Sequence, residues 1–169
     1  MNIIITGPKR CGKSTIIEKL LSEMAGSISG FLTEFRDRNS SDKELIIRSI
    51  DSSKSCKAVS WKDGIPSVDI TAFDEFAPSL INTDSYIVII DELGKFEKSC
   101  YKLRDAVERA FNGPCHVIAA IRLDADGWMQ ALKSRDDIHL FTVNGLNRNS
   151  VPNEIIELIE NEKEPLCNE

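Results

Sequence analysis

The chain has 169 residues, 41% of them hydrophobic and 28% charged, the proportions of one soluble folded unit with enough interior for a core. Its net charge of −6 and its scattered lysines and arginines argue against a broad nucleic-acid footprint, and no apolar run approaches the roughly 20 residues of a spanning helix. Five cysteines without a C-x-x-C pair, beside only two histidines, argue against a zinc site and point to free thiols in the cytoplasm.

The N-terminal apolar stretch is too short for a secretory signal, lacks its basic leader and runs straight into a glycine loop. Residues 2–6, continuous and mostly β-branched, predict a short buried strand. A helix is expected after the loop, because Ile16, Ile17, Leu20, Leu21 and Met24 share one face at helical spacing. Residues 28–33 and 44–50 read as strands around a polar turn at 39–42, and 51–64 as loop with room for one strand. Residues 86–90 form an apolar run ending abruptly in Asp91 and Glu92, the mark of a strand covered on both faces.

Behind that run Leu103, Ala106, Val107, Ala110 and Phe111 repeat at helical spacing until Asn112-Gly113-Pro114 stops the helix. Strands follow at 115–121 and 139–143. A last helix begins near Ser150, with Pro152 in its first turn and Ile155, Ile156, Leu158 and Ile159 inward. Residues 161–169 read as a frayed tail. The alternation of strands and helices argues for an α/β fold with a mainly parallel central sheet, and neither a repeat nor a linker divides the chain.

Gly7, Pro8, Lys9, Arg10, Cys11, Gly12, Lys13 and Ser14 spell G-x-x-x-x-G-K-[ST], the Walker A pattern, between a predicted strand and a predicted helix. Glycines let the backbone curl so that successive N–H groups face phosphate oxygens, and the helix N-terminus adds its partial positive charge. Lys13 then reaches the β- and γ-phosphates, Ser14 holds Mg²⁺, and Thr15 continues the nucleotide-binding turn. Asp91 stands where a Walker B aspartate orders Mg²⁺, and Glu92 beside it suits a base that activates water for attack on the γ-phosphate. The long interval between Lys13 and Asp91 leaves room for an extra strand between the two.

Four stretches then point to a family: residues 7–15 (GPKRCGKST), 30–36 (GFLTEFR), 91–97 (DELGKFE) and 141–148 (FTVNGLNR). Together they resemble the THEP-type small P-loop nucleoside-triphosphatases, which carry a similar Asp-Glu-Ile-Gly-Lys-Met-Glu stretch, a Gly-Phe-x-Thr stretch and a late Asn-Arg pair. The resemblance spans nearly the whole chain. It implies a three-layer, RecA-like P-loop domain that hydrolyses ATP, GTP and other triphosphates to the diphosphate with Mg²⁺ and broad base tolerance. It places Asp91 and Glu92 on the acid pair and Gly94, Lys95 and Glu97 on the rest of that motif. The stretch after Gly30 and Phe31 is one residue shorter than in the family, which leaves Glu34 and Arg36 without assigned roles.

Lys95, next to Gly94, is a candidate to approach the γ-phosphate or to pair with Glu97. Arg148 is a candidate to stack on a base or to meet charge in the transition state. Arg122, at the carboxyl end of the strand over 115–121, is an arginine-sensor candidate or a plain strand-end charge. Trp61 and Trp128 offer base stacking or ordinary packing. Lys9 and Arg10 either add phosphate contacts or face solvent. Two other functions stay open beside hydrolysis. One is a small-molecule or nucleotide kinase, although Arg135 stands alone where an arginine-rich lid would be expected. The other is a nucleotide-dependent switch module.

Overall fold

The apolar runs picked out by sequence become the inner strands of one eight-stranded sheet in a computed structural model, which describes residues 1–81 and 85–162. In chain order the elements are β1 (Asn2–Gly7), α1 (Lys13–Glu23), β2 (Ile28–Arg36), β3 (Glu44–Ser49), β4 (Ser55–Lys62) and β5 (Ile65–Val68). Then come α2 (Ile70–Asp74), α3 (Ala77–Leu80), β6 (Ile87–Leu93), α4 (Tyr101–Phe111), β7 (His116–Arg122), α5 (Trp128–Lys133), β8 (Ile138–Thr142) and α6 (Val151–Glu162). Most of the tail expected to fray lies outside the described residues; before it, α6 continues to Glu162.

The sheet order is β5-β4-β3-β2-β6-β7-β1-β8. From β2 to β8 every pairing is parallel, as the continuous apolar runs require of strands covered on both faces. From β2 to β5 every pairing is antiparallel. The interval between Lys13 and Asp91 is spent on this antiparallel extension. The strand that does separate β1 from β6 is β7, which follows both motifs in sequence.

Residues 51–64 therefore hold the whole of β4 and the turn of a hairpin. Asp63 and Gly64 form its two-residue loop, with φ of 51° and 79°. Positive φ at both positions gives the turn whose twist matches the two flanking strands, and Asp-Gly is a favoured pair for it. β2 also runs to Arg36, past the end expected at residue 33, because β3 pairs with it through Arg36↔Glu44.

Helices cover both faces. Ile16, Ile17 and Leu20 of α1 and Val151, Ile155 and Ile159 of α6 pack on one face with Ile3, Ile5, Ile87, Ile89 and Ile118. Phe73, Phe76 and Leu80, together with Leu103, Val107 and Phe111 of α4 and Met129 and Leu132 of α5, pack on the other with Val88, Ile90 and Val117. Each such side chain taken fully out of water contributes about 1.5–3 kcal/mol. No helix among the described residues is long and apolar enough to cross a membrane.

Candidate active site

In a parallel sheet flanked by helices the carboxyl ends of the strands open onto the ligand side, and here β1, β6 and β7 deliver their last residues together. Gly7 ends β1 in register with Arg122 at the end of β7. A side chain on Gly7 would stand 2.6 Å from the Val143 carbonyl and 2.7 Å from Cys11 Sγ, so only glycine lets the loop fold back there. Arg10 (φ 63°) and Gly12 (φ 110°) take left-handed conformations; such reversals turn successive amides into one concavity. Lys9 and Arg10 are exposed. Gly12 precedes the first residue of α1, which aims the helix N-terminus at the loop.

Lys13 is buried, and its ammonium donates to the carbonyls of Gly7 at 3.3 Å and Pro8 at 3.5 Å. Its charge partner is Glu92, with Nζ 3.6 Å from Oε2. One residue along, the Ser14 hydroxyl donates to Asp91 Oδ1 at 3.4 Å. The structure thus brings Lys13, Ser14, Asp91 and Glu92 into one cluster.

A bulge at the end of β6 aims the two acids. Asp91 pairs with Ala120 and Leu93 with Ile121, which leaves Glu92 as the extra residue. The alternation resets across it. Ile87 and Ile89 face the α1 side, as does Asp91 with its bond to Ser14, whereas Leu93 joins Val88 and Ile90 on the other. Asp91 is only 3% exposed. Burial, and then the charge of Glu92, push its carboxyl up to about 7, and the Ser14 hydrogen bond and Lys13 offset this only in part. Burial also raises Glu92, against the pull of Lys13 and Arg122.

Glu97 begins a short 3-10 turn, Glu97–Ser99, and is buried. Its Oε2 accepts from the Gly94 amide at 2.7 Å, which closes the loop behind Glu92. Burial pushes its carboxyl up to about 7. Lys95 does not pair with it. The Lys95 ammonium is exposed and lies 4.7 Å from the centroid of the Phe96 ring, outside the Lys13–Glu92 cluster.

Arg148 does come to the phosphate loop. Its Cδ and Cβ stand 3.7 and 3.8 Å from where a Gly12 Cβ would be, at the end of a turn pinned by Asn144 and Asn147 side chains. Trp61 packs between Phe35 and Phe96, with ring centroids 5.7 and 5.5 Å away. Trp128 packs against the core on that same face. Both tryptophans thus take the packing alternative. Arg135 is held by Asp137 through two bonds of 2.8 Å. Glu34 and Arg36 are exposed on the part of β2 that outruns β6, whose pairing stops at Leu32↔Asp91.

Arg122 is a residue to which the sequence alone gives little weight. It emerges between the phosphate loop and the Glu92 loop, a position set by sheet order rather than by any local pattern.

A phosphate loop on β1, an acid pair ending β6 and a strand inserted between them define a P-loop nucleoside-triphosphatase fold. A family model described as NTPase matches residues 2–156, and the chain belongs to that family, the enzymes that hydrolyse nucleoside triphosphates. The nucleoside-triphosphatase THEP1 of Thermotoga sp. strain RQ2 is 30% identical over 168 residues, which cover 95% of this chain and 96% of that protein. THEP1 of Thermotoga maritima matches to the same extent. The crystal structure of THEP1 from Aquifex aeolicus superposes with a TM-score of 0.79 at 25% identity, covering 95% of this chain and 99% of that one. The solution structure of a human cancer-related nucleoside triphosphatase shares the fold, with a TM-score of 0.79 at 21% identity over 96% of this chain and 99% of that one.

Proposed function

We propose that this enzyme hydrolyses a broad range of nucleoside triphosphates to diphosphate and phosphate in a Mg²⁺-dependent step with Glu92 as general base. The observation that carries the reading is the 3.6 Å approach of Lys13 and Glu92, which puts a carboxylate beside the amine suited to the γ-phosphate. A water held by Glu92 attacks phosphorus as the bond to the bridging oxygen breaks, and Glu92 takes the water's proton. Lys13 and the loop amides of residues 7–15 grip the phosphate chain.

The donors around Asp91 fit a hard divalent cation. Ser14 Oγ and Asp91 Oδ1 are both oxygens, and the buried carboxylate forms no ion pair among the described residues. Mg²⁺ at such a pair would take its remaining ligands from phosphate and water. When bound there, Mg²⁺ neutralises charge on the phosphate oxygens.

Broad base tolerance is supported by the open surface beside the loop. Arg148 is exposed against Gly12 and Leu146 projects 98% exposed from the same turn, a place where a base stacks without hydrogen-bond readout. Cys11, Cys56, Cys100 and Cys115 are all free thiols, which supports a reducing compartment such as the cytoplasm. The test is phosphate release over a panel of NTPs and dNTPs, with and without Mg²⁺, beside Glu92→Gln. Turnover should need the metal, vary little with the base and fall on the order of 10²-fold in the variant. Unchanged turnover in Glu92→Gln removes the mechanism.

A further inference from the structure

Arg122 ends β7, the strand that lies between the two halves of the site. It pairs in register with Gly7, and the residue before it, Ile121, pairs with Leu93. Its side chain is 17% exposed and crosses directly over Gly94. A Cβ on Gly94 would stand 2.5 Å from Arg122 Cδ and 3.3 Å from Cγ. Gly94 is absent from the left-handed glycines, so its own backbone conformation does not demand glycine. The passage of the arginine does. The guanidinium charge also bears on Glu92 and Glu97.

Two further contacts separate a fixed backbone from an exchangeable side chain. The Lys133 ammonium donates to the carbonyls of Arg122, Leu123 and Ala125 at 3.3, 3.1 and 3.4 Å, which holds the turn after β7 in place. The guanidinium is bound bidentately by Asp124, at 2.9 Å from Nε and 2.7 Å from Nη2. That carboxylate is 71% exposed, and exposed ion pairs are held by little net free energy. A γ-phosphate gripped by Lys13 carries more charge and also offers two oxygens to the guanidinium fork, and it outcompetes such a partner.

We infer that Arg122 is the catalytic arginine of this enzyme, supplied by the chain itself, and that Asp124 is its resting partner. The guanidinium passes from Asp124 to the γ-phosphate oxygens and neutralises the charge that builds as the phosphoryl group moves to water. It stays protonated throughout and forms no covalent bond; the water's proton still goes to Glu92. The inference rests on the phosphate chain lying at Lys13, and not on Glu92 being the base.

The experiment compares Arg122→Ala, Arg122→Lys and Asp124→Ala with the wild type. It measures kcat, the Kd for ADP, trapping of the ADP–aluminium fluoride complex, and Tm. Arg122→Ala should lose on the order of 10³-fold in kcat, keep its ADP affinity within a few fold and fail to trap the fluoride complex. Arg122→Lys should not restore trapping, because an ammonium lacks the fork. Asp124→Ala should keep wild-type turnover or exceed it. The idea is overturned if Arg122→Ala retains kcat and trapping, or if Asp124→Ala is as damaged as Arg122→Ala, which would make the pair structural. Should Arg122→Ala not fold, Arg122→Lys and Asp124→Ala decide on the same readouts. Loss of turnover in Glu92→Gln beside an unaffected Arg122→Ala would sink this inference alone and leave the base in place.

Discussion

Lys13 Nζ and Glu92 Oε2 stand 3.6 Å apart across the edge of the sheet, so the amine proposed to grip phosphate and the carboxylate proposed to activate water are each other's charge partners. The arrangement makes nucleotide a competitor for Lys13. Glu92→Gln removes that competition; Lys13 is buried and Glu92 only 28% exposed, and the desolvation of two such charges offsets most of their attraction, leaving a net of about 1 kcal/mol or less. The variant should therefore bind triphosphate as well as the wild type or up to about fivefold tighter, while its turnover falls. Lys13→Ala should lose both binding and turnover. Equilibrium nucleotide titration checks both, and weaker binding by Glu92→Gln would contradict the competition.

The buried acids give stability a pH slope. Asp91 and Glu97 are both pushed up to about 7 by burial, above ordinary carboxylate values of about 4. A group raised in the folded state contributes stability that is present below its unfolded pKa and lost as pH rises through its folded pKa. Without added nucleotide, Tm should therefore fall between pH 5 and pH 8, on the order of 5 °C or more. Glu97→Gln and Asp91→Asn should each flatten part of that slope, and a Tm rising over that interval would refute it. Asp51 and Asp137 are held low by hydrogen bonds and by Arg135, so their contributions fall away only at more acidic pH.

How much of this was legible in the sequence depends on whether the information is local. The phosphate loop, β6 with its two acids, and the amphipathic helices carry their own periodicity and spacing, and they stand where expected. The hairpin of β4 and β5 carried a local signal too, Asp63-Gly64, but it lay inside a polar stretch whose Ser and Lys content masks the strand. Arg122 had only a weak local signal, its place at the carboxyl end of a buried strand, which fits a plain strand-end charge equally well. Its place follows from β7 threading between β1 and β6, a long-range outcome that no spacing announces. Nor does spacing tell that Glu97 turns inward onto the Gly94 amide while Lys95, two residues earlier, turns out onto Phe96.

The Gly-Phe pair at 30–31 is explained by packing. Gly30 pairs with Ile89 of β6 at φ 112°, and a Cβ there would stand 1.9 Å from the Ile89 carbonyl oxygen, which is backbone and cannot swing away. Gly30→Ala should therefore destabilise the protein by about 3 kcal/mol or more, combining overpacking with a disfavoured conformation. Gly64→Ala offers the contrast: its Cβ would meet nothing within 4 Å, so only the positive φ of 79° is strained. That strain is worth about 1–2 kcal/mol. Urea melts of the two variants should rank them in this order.

Metal binding and phosphate binding separate at two adjacent residues. Ser14 Oγ meets Asp91 Oδ1, while Lys13 turns to Glu92. Ser14→Ala removes one oxygen donor for the cation and leaves Lys13 and the loop amides intact. It should raise the Mg²⁺ concentration needed for half-maximal turnover by about tenfold and change metal-free ADP affinity little, since one neutral donor is worth about 1–1.5 kcal/mol. Asp91→Asn removes the charged donor and should raise it further. It should also stabilise the protein without nucleotide at pH 8, because it relieves a buried carboxylate that Ser14 and Lys13 compensate only in part. Metal titrations of turnover, run beside melts in EDTA, read both effects at once. If Ser14→Ala shifts ADP affinity without EDTA-sensitive change in the metal dependence, Ser14 serves the phosphates rather than the cation.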